Sequence, residues 1–159
     1  MKLFQFAQTQ ILPTTLEEAW SFFSDPRNLA EITPPELKLV PTSAVPDSMF
    51  PGMIVTYGVK VLPAFRVLWV TEITHVVRPV LFVDEQRFGP YRFWHHLHRF
   101  TAVEGGVRAD DLIHYALHGG PVAAELDRLL VRPRLDSIFA FRRQALEQRF
   151  GASLKDARG

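Results

Sequence analysis

Six strand-like segments follow one another between residues 37 and 117, with no helical segment among them. Each is rich in β-branched and aromatic residues and is bounded by proline, glycine or a charged pair, as strands usually are. They span 37–42, 53–62, 65–77, 80–88, 91–103 and 107–117. Parallel pairing needs a crossover of about a dozen residues or more, so these short connections predict antiparallel pairing between sequence neighbours.

The N-terminal segment supplies one more strand and two short helices. Residues 2–12 read as a strand. Thr14 and Thr15 are each followed three residues later by a glutamate, so either threonine can begin the first helix with a capping box. Asp25-Pro26 then ends that helix or starts a second short one, which the prolines at 34–35 break.

The last segment, 121–150, has apolar residues at helical spacing and predicts one long helix. Pro133 interrupts it, so we expect a kink or break near 130–133. Residues 152–159 are small and polar and are expected to form a disordered tail. The order predicts an α+β fold with a single domain over 1–151. In it, a curved antiparallel sheet of about seven strands wraps around the long C-terminal helix, with two short helices between strands 1 and 2.

The composition excludes several classes of protein. Eighteen Lys and Arg face seventeen Asp and Glu, so no basic field argues for nucleic acid. The absence of cysteine removes disulfides, zinc–thiolate sites and thiol catalysis. No apolar run approaches the ~18 residues of a membrane span, and the N-terminus lacks a secretory pattern, so we expect a cytoplasmic protein without membrane insertion. The arginines of the last helix are interleaved with acidic residues and read as a solvated face: Arg128, Arg132, Arg134, Arg142, Arg143 and Arg149.

One face of the predicted hairpin between 91–103 and 107–117 concentrates aromatic and titratable side chains. A two-residue turn at Gly105-Gly106 makes three cross-strand pairs: Phe100 with Asp111, His98 with Ile113, and His96 with Tyr115. We place the more aromatic face inward; it carries Trp94, His96, His98, Phe100, Asp111, Ile113 and Tyr115. A slip of one residue would reverse the two faces.

Asp84 and His96 are the best acid–base candidates in the chain. A three-residue turn at 89–91 places them opposite each other, where the carboxylate would fix the imidazole tautomer and raise its basicity. A turn of two or four residues would separate them, and structural hydrogen bonds near the turn are the alternative role. Gln86 shares the face of Asp84 and Phe82.

Other chemistry-bearing patterns are sparse. Tyr57 and Trp69 lie on central strands and are candidates for a binding wall, whereas Arg66 is expected at the rim or outside. The sequence contains no nucleophile-elbow, phosphate-binding glycine loop or zinc-protease motif.

A family resemblance rests on five stretches, 82–86, 89–91, 94–100, 111–115 and 138–142. Together they resemble the SRPBCC superfamily, and more narrowly its bacterial ligand-binding members grouped with polyketide cyclase/dehydratases. The Gly-Pro-aromatic turn followed by Trp-x-His-x-His-x-Phe is the most specific part. The resemblance implies a helix-grip, START-like fold with a deep apolar cavity for lipids, sterols or polyketides; some members catalyse cyclisation or dehydration.

The spacing of His96 and His98 is also that of a metal-binding pair on one strand face, with Asp84 or Asp111 as a third ligand. Because the family that the chain resembles does not generally use a metal there, we expect neither a metal nor another cofactor.

Three functions fit these observations. The first is a carrier or sensor of a small hydrophobic molecule, such as a lipid, polyketide or aromatic compound. The second is a cyclase or dehydratase with His96 as general acid or base, oriented by Asp84 or Tyr115. The third is a regulatory interaction module with a filled core, since thirteen Phe are enough to fill it.

Whether a reaction is catalysed stays open, as does the choice between monomer and homodimer. The candidate ligand-binding residues are Tyr57, Trp69, Phe82, Gln86, Trp94, His96, His98, Phe100, Asp111, Ile113, Tyr115 and Phe139.

Overall fold

The computed structural model describes residues 1–62 and 65–152. Its strands are β1 (Phe4–Leu12), β2 (Val40–Pro41), β3 (Met53–Leu62), β4 (Phe65–Val77), β5 (Leu81–Phe88), β6 (Phe93–Val103) and β7 (Gly106–Ala116). Its α-helices are α1 (Leu16–Phe23), α2 (Ala123–Leu126) and α3 (Arg132–Phe150). Short 3₁₀ segments lie at Pro26–Ile32, Pro35–Leu37 and Gly120–Val122, and a π-helical turn, Asp127–Val131, joins α2 to α3.

The seven strands form one antiparallel sheet in the order β1-β7-β6-β5-β4-β3-β2. Sequence neighbours pair throughout, except that β1 closes against β7. The predicted α+β helix-grip fold is therefore confirmed, with a long helix at the C-terminus and three short helical segments, rather than the two expected, between β1 and β2. The assignment of 1–151 to a single domain stays a prediction.

The first helix begins at Thr15, which decides between the two candidate caps. The Thr15 side chain accepts a hydrogen bond from the Glu18 amide at 3.2 Å, and Glu18 Oε2 accepts one from the Thr15 amide at 3.1 Å. This reciprocal pair is a capping box. Thr14 supports it from outside the helix, donating through its hydroxyl to Glu18.

Two predicted elements differ from the structure. The strand expected over 37–42 is only two residues long, because prolines open a 3₁₀ turn and Lys38 takes a left-handed conformation with φ 44°. At the kink or break expected near 130–133, the structure has the π-helical turn, and the helical run passes through it from α2 into α3 without a break. Pro133 follows directly as the second residue of α3, where it lacks the N–H that would bond back into the preceding turn. Of the tail predicted over 152–159, only Ala152 belongs to the described residues.

The inner face of the sheet and the helices share a largely aromatic core. Trp20 of α1 packs edge-on against Phe82 and Phe100, with ring centroids 6.0 and 6.3 Å apart. From α3, Phe139 lies 4.7 Å from the ring of Phe6. Aromatic contacts therefore hold both α1 and α3 against the inner face of the sheet.

Helix α3 also bonds to the free edge of β1. Arg132 Nη1 donates to the carbonyl of Gln5 at 3.0 Å, and Arg143 Nη2 donates to the carbonyl of Thr9 at 2.9 Å. These guanidinium groups satisfy carbonyls that have no neighbouring strand. Within the described residues, no helix is long and apolar enough to cross a membrane.

Candidate functional site

A cavity of about 190 Å³ lies between the sheet and α3. Most of its wall is apolar: strands β3 to β6 supply one side, α3 the opposite side, and the segment between α1 and β3 a third. The main apolar contributors are Leu29, Ile32, Met49, Val55, Val59, Trp69, Phe82, Trp94, Leu135, Ile138 and Phe139. The predicted wall residues Tyr57, Trp69, Phe82, Trp94 and Phe139 all border this space.

One part of the cavity wall belongs to a buried ionisable cluster, which we call the His–Asp cluster: Asp84, His96, His98, Asp111 and Arg142. All of these residues except Asp111 border the cavity. His98 lies between two carboxylates, with Nε2 2.9 Å from Asp84 Oδ2 and Nδ1 2.9 Å from Asp111 Oδ1. His96 Nε2 lies 2.8 Å from Asp111 Oδ1, and His96 Nδ1 3.5 Å from Asp84 Oδ2. Arg142 Nη1 closes the cluster at 3.3 Å from Asp111.

Strand register brings the cluster together. Asp84 is the direct cross-strand partner of His96, as the three-residue turn predicts. His98 is the partner of Asp111, and Trp94 that of Tyr115. Because β5, β6 and β7 present these positions to the same face, both carboxylates meet both imidazoles.

The predicted pairing within the β6–β7 hairpin was wrong by two residues. Phe100 pairs with Ala109 rather than Asp111, His98 with Asp111 rather than Ile113, and His96 with Ile113 rather than Tyr115. The turn consists of Glu104 and Gly105, and Gly106 already pairs with Val103. A shift of two residues preserves the side-chain alternation, so the predicted inward face is nevertheless correct.

The members of the His–Asp cluster shift one another's pKa values. Burial alone would lower the pKa of His98, but its hydrogen bonds to Asp111 and Asp84 outweigh burial and raise it. Burial and the neighbouring charge of His98 lower the pKa of His96. Burial opposes ionisation of Asp111, yet Arg142 and the two imidazoles hold its pKa well below the usual range. With a carboxylate against each of its ring nitrogens, His98 is the imidazole whose protonated form the cluster favours.

Besides Asp111, four predicted ligand-binding residues lie outside the cavity lining and have other contacts. Gln86 spans the β5–β6 turn, donating through Nε2 to the Tyr91 carbonyl at 2.7 Å and accepting from the Tyr91 amide. The Tyr115 hydroxyl donates to Asp127 in the π-helical turn at 2.5 Å. Phe100 packs under α1, and Ile113 is fully buried in the core. Arg66 is exposed, as predicted.

Sequence reasoning missed Arg142, which we had assigned to a solvated face. Its side chain is only 8% exposed and borders the cavity. A usable signal was present, because Leu135, Phe139, Arg142 and Leu146 follow one another at intervals of three or four residues and so share one face of α3. All four are buried.

Two buried donors on the cavity wall have no partner among the described residues. They are Trp94 Nε1 and Arg142 Nε. Because leaving a buried N–H unpaired costs about 1–3 kcal/mol, native proteins rarely tolerate it without a water, ion or ligand that completes the bond.

Comparisons with known proteins agree on the fold. No protein-family model matches the chain, and no curated protein is similar to it in sequence. Solved structures that resemble it include protein Ms6760 from Mycobacterium smegmatis, with 20% identity, 91% coverage of both chains and a TM-score of 0.64. Ara h 8.0201 shares 12% identity over 92% of this chain and 99% of its own, with a TM-score of 0.62. CV1439 from Chromobacterium violaceum shares 12% identity over 94% and 99%, with a TM-score of 0.69.

These likenesses establish the class of fold. With identities of 12 to 20%, they show the fold alone: the chain shares the architecture of these three proteins.

Proposed function

We propose that the protein binds a small, predominantly apolar molecule in the cavity between the sheet and α3, as a carrier or sensor. The observation that carries this proposal is the apolar wall enclosing about 190 Å³ with one ionisable end. An engineered apolar cavity of about 150 Å³ accepts benzene. The volume thus favours an aromatic compound or a short acyl or polyketide fragment over a sterol or a long lipid.

The polar end of the wall defines a second property of the ligand. Trp94 Nε1 and Arg142 Nε are buried donors without partners, and both residues border the cavity. A ligand oxygen that accepts from either donor would remove the cost of its burial. We therefore infer an apolar body with at least one carbonyl, hydroxyl or carboxylate oxygen.

The family subgroup belongs to this proposal as well. The turn at 89–91 and the Trp-x-His-x-His-x-Phe strand support membership of the bacterial ligand-binding, polyketide cyclase/dehydratase-like group. We further propose a cytoplasmic monomer or homodimer as the working form.

A second candidate function is a cyclase or dehydratase acting on a polyketide-like substrate. The observation in its favour is that His96 borders the cavity while Asp111 holds its Nε2 at 2.8 Å, which orients the imidazole. In this function His96 exchanges a proton with the substrate. Asp111 takes the orienting role that we had assigned to Asp84 or Tyr115.

The test begins with the purified chain. Native mass spectrometry, together with mass spectrometry of a solvent extract, should reveal a stoichiometric apolar molecule or an emptied site that binds a fluorescent apolar probe. Val59→Phe adds a ring to the cavity wall and should weaken probe binding at least tenfold. The matched control is Ile54→Phe, on the same strand with its side chain on the exposed face, which should bind normally.

Three outcomes separate the functions. A bound or exchangeable apolar molecule that survives His96→Gln unchanged supports a carrier or sensor. Conversion of a polyketide-like substrate, abolished by His96→Gln while binding persists, supports the enzyme. No extracted molecule and no probe binding to the wild-type chain would overturn both and favour the filled-core interaction module.

A further inference from the structure

We propose that Asp84, His96 and His98 form a binding site for a first-row divalent cation, with Zn²⁺ or Fe²⁺ as the best-matched ions. The site would be built from Asp84 Oδ2, His96 Nδ1 and His98 Nε2. It does not depend on the apolar ligand proposed above.

The three ligand atoms already converge. One ligand atom from each residue lies within 4.8 Å of those of the other two. Asp84 Oδ2 is 2.9 Å from His98 Nε2 and 3.5 Å from His96 Nδ1. Metal–ligand bonds of about 2.1 Å place neighbouring ligand atoms roughly 3.0–3.4 Å apart in octahedral or tetrahedral geometry. Both measured distances fall close to that range.

The remaining imidazole nitrogens have the partner that metal-bound histidines require. A ligating histidine normally donates its other ring N–H to a carboxylate or carbonyl, which fixes the tautomer and the ring orientation. Here His96 Nε2 and His98 Nδ1 both lie against Asp111 Oδ1, at 2.8 and 2.9 Å. A single carboxylate thus orients both rings with their other nitrogens turned toward Asp84, and binding of a cation would replace the hydrogen bond between His98 Nε2 and Asp84 Oδ2 with loss of the ring proton.

The position of Arg142 selects the side of the cluster on which a cation can bind. Its Nη1 lies 3.3 Å from Asp111 and would oppose a second cation beside that carboxylate. Asp84, His96 and His98 border the cavity, so an ion bound there has coordination positions open toward it.

The donor set restricts the choice of ion. Two imidazoles and one carboxylate suit zinc and non-haem iron, whereas Mg²⁺ and Ca²⁺ prefer oxygen ligands. An open position would accept water or an oxygen atom of a molecule in the cavity.

The test uses the full chain after removal of metal with a chelator, titrated with Zn²⁺ alone and with Co²⁺ alone. We expect one Zn²⁺ per chain by calorimetry and visible Co²⁺ absorption bands of a nitrogen–oxygen site. Asp84→Asn and His98→Gln should each weaken Zn²⁺ binding tenfold or more. Asp111→Asn, which alters only the carboxylate behind the rings, should weaken it by about 10–100-fold.

The matched control is His95→Gln. His95 and His114 face each other on the opposite side of the same hairpin, with ring centroids 6.3 Å apart, and would account for adventitious binding to imidazoles. Circular dichroism of each variant separates lost ligands from lost folding. Absence of one-to-one binding in the wild-type chain, or binding reduced by His95→Gln but not by the cluster variants, would overturn the proposal. Probe binding in chelator-treated protein tests the cavity separately.

Discussion

Nε2 of His98 lies 2.9 Å from Oδ2 of Asp84, although the residue directly opposite Asp84 in the sheet is His96. The shorter contact is thus the diagonal one, which long side chains on adjacent strands can reach. The same ring contacts Asp111 through its other nitrogen. His98 therefore bridges two carboxylates from different strands, and the stability of the cluster depends on all of its charges being present.

Removing Asp111 should destabilise the fold strongly. Asp111→Ala leaves His98 and Arg142 buried without their shared carboxylate, and breaking a buried pair in this way costs about 3–5 kcal/mol. Urea unfolding of metal-free protein measures the loss. Asp110→Ala, next in sequence and paired with Arg108 at the surface, should cost about 1 kcal/mol or less. Equal losses in the two variants would show that the buried contacts of Asp111 stabilise the fold no more than the surface pair of Asp110 and Arg108 does.

All three tyrosines should resist ionisation in the folded chain. Burial raises the pKa of Tyr91 to about 12, and it raises the pKa of Tyr57 and of Tyr115 well above the ordinary value. The carboxylate of Asp84 adds to the effect at Tyr57, and that of Asp127 adds to it at Tyr91 and Tyr115. Arg132 lowers the pKa of Tyr115, and Arg134 lowers that of Tyr91, but neither offsets burial. At Tyr57, the carboxylate of Asp25 raises the pKa further.

The free energy of unfolding should therefore decrease at alkaline pH. Unfolded tyrosines ionise near pH 10 while the folded ones stay neutral, so stability is complete below about pH 10 and falls as the pH rises toward 12. Each tyrosine contributes about 1.4 kcal/mol per pH unit in that window. Absorbance at the phenolate band should appear together with unfolding. A phenolate signal at pH 10 in protein that is still folded would contradict this prediction.

The first helix should depend on Thr15 rather than on Thr14 alone. Thr15→Ala removes the acceptor of the Glu18 amide and should cost about 1 kcal/mol, the usual loss for an N-cap. Thr15→Ser keeps the oxygen and should restore most of the stability. Thermal or urea denaturation tests both, and a loss as large in Thr15→Ser as in Thr15→Ala would show that the methyl group matters more than the cap.

Gly106 and Gly105 should differ sharply in their tolerance of substitution. A Cβ on Gly106 would lie 2.0 Å from the Leu12 carbonyl oxygen, where backbone must move to admit it. A Cβ on Gly105, with φ +85°, meets nothing within 4 Å. Gly106→Ala should therefore cost more than the ~1–3 kcal/mol of backbone strain alone, while Gly105→Asn should cost about 1 kcal/mol or less. The urea midpoints of the two variants measure both losses. A Gly106→Ala variant as stable as the wild type would contradict the close approach of the Leu12 carbonyl to Gly106.

The order and pairing of the strands were predictable because the connections are short and the apolar alternation is regular. The face that carries Trp94, His96 and His98 was predictable for the same reason. The hairpin register was not, because two consecutive glycines allow two positions for the turn, and only the approach of Leu12 to Gly106 distinguishes them. Arg142 was missed because its charge suggested solvent, although its spacing placed it on the buried stripe.

The guanidinium groups of Arg132 and Arg143 on the backbone of β1 also affect how copies of the chain meet each other. An exposed edge strand invites pairing with a strand of another molecule, the first step toward fibrillar aggregates. At β1 an incoming strand would have to displace two charged groups, and at the opposite margin β2 offers two residues, one of them Pro41. The β1 margin is thereby protected against edge-to-edge growth, whereas β2 pairs with only two of the ten residues of β3.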